Sequence, residues 1–175
     1  MRRKRGWKGA ACAFLSAVMT LLSGCLPGAG NKPPKTTEIT TFRFRHSGMW
    51  PGDCYCYTLE RTQQGARLYM EELLSNGQIV DVTIEDPVME RIEQLTQQHE
   101  LYRWNGFDKV DRHALDGTAF SLSIDFADGS HVHAHGSNKF PDGYKEAKQA
   151  IYELFAELAA QYDKPEQQTG NTTDS

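Results

Sequence analysis

The sequence predicts an α+β domain: an antiparallel sheet in ββββαββα order with two helices packed on one face. Two-residue alternation of apolar and polar side chains recurs in the strand segments, and a helical stripe marks two others. Turn residues separate them, and strands grouped before and between helices describe segregated layers rather than alternating βα units.

Glu38 to His46 opens the domain, with Phe42 and Phe44 on one side and Arg43 and Arg45 on the other, the pattern of a half-buried strand. The loop Ser47 to Asp53 leads to Cys54–Arg61, where Tyr55, Tyr57 and Leu59 share a face. Gln63-Gln64-Gly65 turns the chain into a third strand, about Ala66 to Leu74, which carries apolar residues on both faces. Asn76-Gly77 is a two-residue hairpin signal, because both central positions need positive φ; it leads to Gln78–Ile84, with Val80, Val82 and Ile84 in step.

Asp86-Pro87 marks a helix start, an acceptor cap followed by a proline whose missing N–H is not needed there. Val88, Ile92, Leu95 and His99 then fall on one stripe. The segment Leu101–Gly117 reads as a connection. Thr118–Phe126 follows as a strand with Phe120, Leu122, Ile124 and Phe126 inward, and a last helix, Gly143 to Tyr162, carries Ala147, Ile151, Leu154, Phe155 and Leu158 toward the core from a cap at Asp142.

The flanks tell of location. Four cations in Met1–Arg5, then Lys8, precede the apolar run Ala10 to Leu22. As a helix at ~1.5 Å per residue that run reaches about 20 Å, short of the ~30 Å hydrocarbon core, so it reads as the core of an export signal and not a membrane span. Leu22-Ser23-Gly24-Cys25 resembles the lipobox of bacterial lipoproteins. The resemblance implies cleavage before Cys25, diacylglycerol on its sulfur, and a place on the extracytoplasmic face of the cell membrane, with the bilayer as partner through the acyl chains. Residues 1–24 are then a signal peptide, and 25–37, rich in proline and glycine, a tether. Residues 38–163 form one domain, and the polar 164–175 a disordered tail.

Removing the leader takes away five cations and no acid, leaving 14 Lys and Arg against 23 Asp and Glu, a net charge of −9. Such a surface repels phosphate backbones and anionic headgroups, so nucleic acid is not expected as a partner.

Few constellations carry chemistry. His131, His133 and His135 alternate on a strand and project together, and two such imidazoles with a third ligand can hold zinc or copper. Their face depends on the preceding turn. A three-residue loop with Gly129 in the left-handed bulge position pairs Asp125 with His131, Ile124 with Val132 and Ser123 with His133, keeping each face consistent and turning the histidines to solvent. Cys54 and Cys56 are open to three readings: a reactive dithiol, a strained local disulfide, or two ordinary small residues. Asp108, Asp111, His113 and Asp116 cluster in one segment, as an envelope hydrolase would need, but in the spacing of no known catalytic loop. Met49-Trp50 either folds back over the core edge or presents apolar surface to a protein, peptide or envelope ligand. No G-x-S-x-G, phosphate-loop or His-Glu-x-x-His motif is present. The expectation is a tethered, non-enzymatic binding module without a resident cofactor, with metal binding through the three histidines as the alternative.

Trp104-Asn105-Gly106-Phe107-Asp108, Leu115-Asp116-Gly117, Phe120-Ser121-Leu122, Asp128-Gly129 and Gly136-Ser137-Asn138-Lys139-Phe140-Pro141 resemble the signature of small, uncharacterised exported lipoproteins of Clostridia-like bacteria. The resemblance covers roughly residues 40 to 160. It implies a shared fold and location and carries no activity or site residue with it.

Overall fold

A computed structural model describes residues 33–50, 52–72, 79–84, 87–111, 113 and 117–162. The leader, the lipobox residues Leu22, Ser23, Gly24 and Cys25, residues 26–32, Asn76-Gly77, Asp86, Asp116 and the tail 164–175 lie outside them.

Seven strands form one sheet: β1 (Ile39–Ser47), β2 (Cys54–Thr62), β3 (Gly65–Glu72), β4 (Ile79–Ile84), β5 (Phe107–Val110), β6 (Ala119–Phe126) and β7 (His131–Ser137), in spatial order β4-β3-β2-β1-β6-β7-β5. All neighbours are antiparallel except β5 and β7. Two helices, α1 (Val88–Gln98) and α2 (Tyr144–Tyr162), complete the α+β fold. β1 is the middle strand. Its alternation turns Phe42 and Phe44 inward, both fully buried, and leaves Arg43 and Arg45 on the open face.

α2 runs back along β1. Its Tyr144 meets His46 at the end of the strand, and Phe155 stacks on Phe42 with ring centroids 6.4 Å apart. Ala147, Ile151, Leu154, Phe155 and Leu158 are buried, the stripe expected from the sequence. Asp142 gives its backbone carbonyl to the Trp104 indole N–H (3.2 Å), and the helix starts two residues later. α1 begins at Val88, where the Pro87 carbonyl accepts from the N–H groups of Glu90 and Arg91. Its buried side is Val88, Met89, Ile92 and Thr96.

The turn between β6 and β7 takes the bulged form. Gly129 has φ +81°, the Phe126 N–H donates to Ser130, and the pairs are Asp125–His131, Ile124–Val132 and Ser123–His133. Alternation alone selected this register, since a two-residue turn would have mixed apolar and imidazole side chains on one face.

The segment Leu101–Gly117 corrects the sequence reading. It holds a 3-10 turn (Leu101–Trp104) and the unexpected β5, so the order is ββββαβββα. β5 has four residues, of which Phe107 alone is half-buried and the rest are exposed, so it shows no periodicity. The strand state comes from pairing with β7, where the Gly106 N–H bonds the His133 carbonyl and the Asp111 N–H the Ser137 carbonyl.

Gly136 marks a close approach. A Cβ there would fall inside the van der Waals envelope of the Lys139 carbonyl oxygen and the Phe120 ring. Gly136→Ala is therefore expected to destabilise the domain by about 1–3 kcal/mol through overpacking, read as a lower midpoint in thermal unfolding of the full chain. An unchanged midpoint would contradict this packing.

Candidate functional site: an aromatic cleft beside a buried histidine network

The residues singled out in the sequence are dispersed. His131, His133 and His135 stand exposed on the open face, as their register requires. His133 Nδ1 lies 3.2 Å from the Ser123 hydroxyl, His135 Nδ1 lies 3.3 Å from Asp108 Oδ1, and the rings of His131 and His133 are 4.9 Å apart. Among the described residues, no three His, Cys, Asp or Glu gather to hold a metal ion. The face offers a pair of adjacent imidazoles, on which no third donor converges among the described residues.

Cys54 and Cys56 are both free thiols. Cys54 is buried, and its Sγ–H donates to the Gly48 carbonyl (3.3 Å). Burial pushes the Cys56 thiol up, against the opposing pull of Arg43 and Arg45, which disfavours the nucleophilic thiolate. Asp108 faces His135. Asp111 accepts from the His113 N–H (3.1 Å) and pairs with Lys139 (3.2 Å), so these acids serve separate partners. Met49 and Trp50 are 59% and 73% exposed, and the loop does not fold back over the core.

A different group of polar side chains is drawn together. β1 continues its inward alternation past Phe44 to His46, which is 1% exposed. Tyr144 and Lys148, one turn apart on α2, close over it, and the loop before β2 brings Asp53. His46 Nδ1 lies 2.9 Å from Tyr144 Oη; Nε2 lies 3.0 Å from Lys148 Nζ and 3.1 Å from Asp53 Oδ1; Lys148 Nζ is 3.0 Å from the same carboxylate. Lys148 and Asp53 thus meet at the same ring nitrogen, the ammonium calling for an acceptor there and the carboxylate for a donor. Burial first, then the Lys148 charge, lower the His46 pKa against the opposing pull of Asp53. Partial burial pushes the Asp53 carboxyl up, but the hydrogen bond and charge of Lys148 bring it, on balance, below the usual carboxylate range. The carboxylate ties its loop to α2, and the Gly48 N–H to Asp53 carbonyl bond (2.7 Å) closes that loop.

Beside this network runs a cleft of about 260 Å³, lined by Gly52, Tyr55, Tyr57, Met70, Glu71, Glu72 and Val80 on one side and by Tyr152, Phe155, Ala156 and Ala159 of α2 on the other. Tyr57 is sandwiched between Tyr55 (4.6 Å) and Phe155 (4.3 Å). The Tyr55 hydroxyl is buried with no hydrogen-bond partner among the described residues. Burial pushes the phenols of Tyr55, Tyr57 and Tyr144 well up, so all three stay neutral. Sequence reasoning missed the network and the cleft. The available signal was His46 itself, a histidine in step with two core phenylalanines.

His46 gives the domain a pH dependence of known sign. Its folded pKa is below the ordinary 6.5, so the unfolded chain binds the extra proton first and stability falls as pH drops below 6.5 toward the folded value. The groups facing it are Tyr144 and Lys148 of α2, Asp53 of the loop and Tyr55 of β2. The thermal midpoint of the wild type is expected to fall further between about pH 7.5 and pH 5 than that of His46→Gln, a range above the carboxylate window of Asp53. Parallel curves would remove His46 from the pH response. A scan of family models finds none that matches the chain, and no curated protein matches it.

Proposed function

We propose that the chain is a membrane-anchored extracytoplasmic lipoprotein whose domain is a non-enzymatic binding module. The observation that carries this reading is the placement of the two ends of β1. The chain approaches β1 at Ile39, where the Lys35 N–H donates to Asp128 and the Ala127 N–H to the Glu38 carbonyl. The loop with exposed Met49 and Trp50, and the Gly52–Glu72 end of the cleft, lie at the opposite end. Nine residues of strand at ~3.3 Å each put about 30 Å between them. With Cys25 acylated, the tether leaves one end of the domain near the bilayer and holds the apolar loop and cleft away from it. The net negative charge opposes docking of the domain on anionic lipid.

The disposition of reactive groups supports binding over turnover. His46 is neutral and enclosed, Asp108 and Asp111 are engaged apart, and the Ser123–His133 pair lies on a water-exposed face, where a developing charge would be poorly stabilised. No helix among the described residues is long and apolar enough to cross a membrane.

Mass spectrometry of the protein purified from membranes is expected to find Cys25 acylated and residues 1–24 absent. In vesicles, the red-edge emission of Trp50 is expected to be quenched by acrylamide and left intact by brominated lipid. An unmodified Cys25 would overturn the anchoring, and strong quenching by brominated lipid would overturn the outward presentation.

The adjacent imidazoles of His131 and His133 favour a second reading, capture of zinc or copper by the three histidines. Two nitrogen donors without a third hold such ions weakly. Binding-module function without metal expects zinc affinity no tighter than micromolar. Submicromolar affinity lost on replacing His131, His133 and His135 with Ala would transfer the assignment to the metal.

A further inference from the structure

The cleft exists because of two small residues. On α2, Tyr152, Ala156 and Ala159 form a second stripe beside the buried one and face the β3–β4 side of the sheet. Alanine where a core-facing stripe would carry leucine leaves the space empty. The walls are apolar: Met70, Val80, the edges of Tyr57 and Phe155, and Tyr152, which is 43% exposed and 5.8 Å from Tyr55.

Two acidic residues, Glu71 and Glu72, border the cleft, and the Glu71 carboxylate accepts from the Tyr69 hydroxyl (3.0 Å). Glu72 is opposite Tyr55 in the β2–β3 register, so its side chain shares the inner face. Its carboxylate hangs beside the loop, where a Cβ on Gly52 would stand 3.6 Å from Oε1. It makes no ion pair with any described residue, whereas Glu60 and Asp81 on the open face both pair with Arg67. The Tyr55 ring lies 5.8 Å from that of Tyr152, and its hydroxyl, buried with no partner among the described residues, is a polar group that a bound polar atom or water would satisfy.

We propose that this cleft binds a small organic cation, an ammonium or amidinium head on an apolar body of about ten non-hydrogen atoms. The head pairs with Glu72, and the body lies between Tyr152, Met70 and the methyls of Ala156 and Ala159. A charge-assisted bond to a partly buried carboxylate is roughly twice as strong as a neutral one, so the ion pair sets the preference. Aromatic faces contribute less, because both faces of Tyr57 are taken by neighbouring rings and Tyr152 alone is free to cover a cation. An anionic ligand would meet Glu72 and the negative field of the whole domain. The proposal deepens the binding-module reading and rests on it.

The test uses the full acylated chain in zwitterionic nanodiscs, with empty nanodiscs as reference, and three matched probes: 4-phenylbutylamine, 4-phenylbutanol and 4-phenylbutyrate. Calorimetry is expected to show the amine at least tenfold tighter than the alcohol, with the carboxylate weakest. Glu72→Gln is expected to bring the amine down to the level of the alcohol. Ala156→Phe, at an exposed position on α2, is expected to weaken amine and alcohol together at least tenfold with an unchanged thermal midpoint. Equal affinities for amine and alcohol, or an amine preference that survives Glu72→Gln, would overturn the cation assignment. If the alcohol or the carboxylate binds best and Ala156→Phe abolishes it, the cation class falls and the binding module stands. If no probe binds, the site itself falls, while the acylation and quenching results still decide the anchoring.

Discussion

β1 is the strand on which the remainder of the molecule is assembled, because it pairs on both sides and its inward residues lie under α2. Phe42 and Phe44 are completely buried, each contributing about 1.5–3 kcal/mol relative to exposure. They force α2 to lie along β1 with Phe155 over Phe42. With that helix placed, the identity of every other residue on its inner surface acquires a partner. Leu154 and Leu158 fill the core, whereas Ala156 and Ala159 leave a space against β3 and β4.

The same packing explains why a polar network is buried at the end of the sheet. The alternation that buries Phe42 and Phe44 carries His46 inward at the next step. An imidazole there must be paired or lose hydration without compensation. Tyr144 and Lys148 satisfy it because they share the α2 face that covers β1, and Asp53 neutralises Lys148. The loop of Met49 and Trp50 is held outward as a consequence: Asp53 anchors its far end to the helix, and the exposed side chains between have no core surface left to cover. A core requirement thereby shapes the surface at the end of the domain opposite the chain's approach to β1.

The outer face of the sheet follows a different logic. An antiparallel sheet covered on one side can leave the other to water, provided its residues are polar. Arg43, Arg45, Ser121, Ser123 and the three histidines meet that condition one strand after another. Their grouping follows from alternation and needs no ligand to explain it, and the partners they find are mostly single neighbours: Ser123 for His133, Asp108 for His135. The inner cleft differs, since it combines apolar walls with a carboxylate and a buried hydroxyl that find no partner among the described residues.

Much of the architecture was legible in the residues alone. Strands β1, β2, β4, β6 and β7 and both helices follow from periodicity, since a wrong register would expose a whole apolar face at once. The bulged turn at Gly129 was readable for the same reason. Local signals failed where no face is buried: β5 has a single inward residue and owes its state to the edge of β7. The candidate site was almost wholly hidden. His46, Asp53, Tyr144 and Lys148 are separated by up to 102 residues and carry no spacing motif. The cleft is an absence of side-chain volume between α2 and a strand pair that the sequence cannot align with it. Periodicity reports which way a side chain points relative to its own element, and the tertiary structure alone decides what stands opposite.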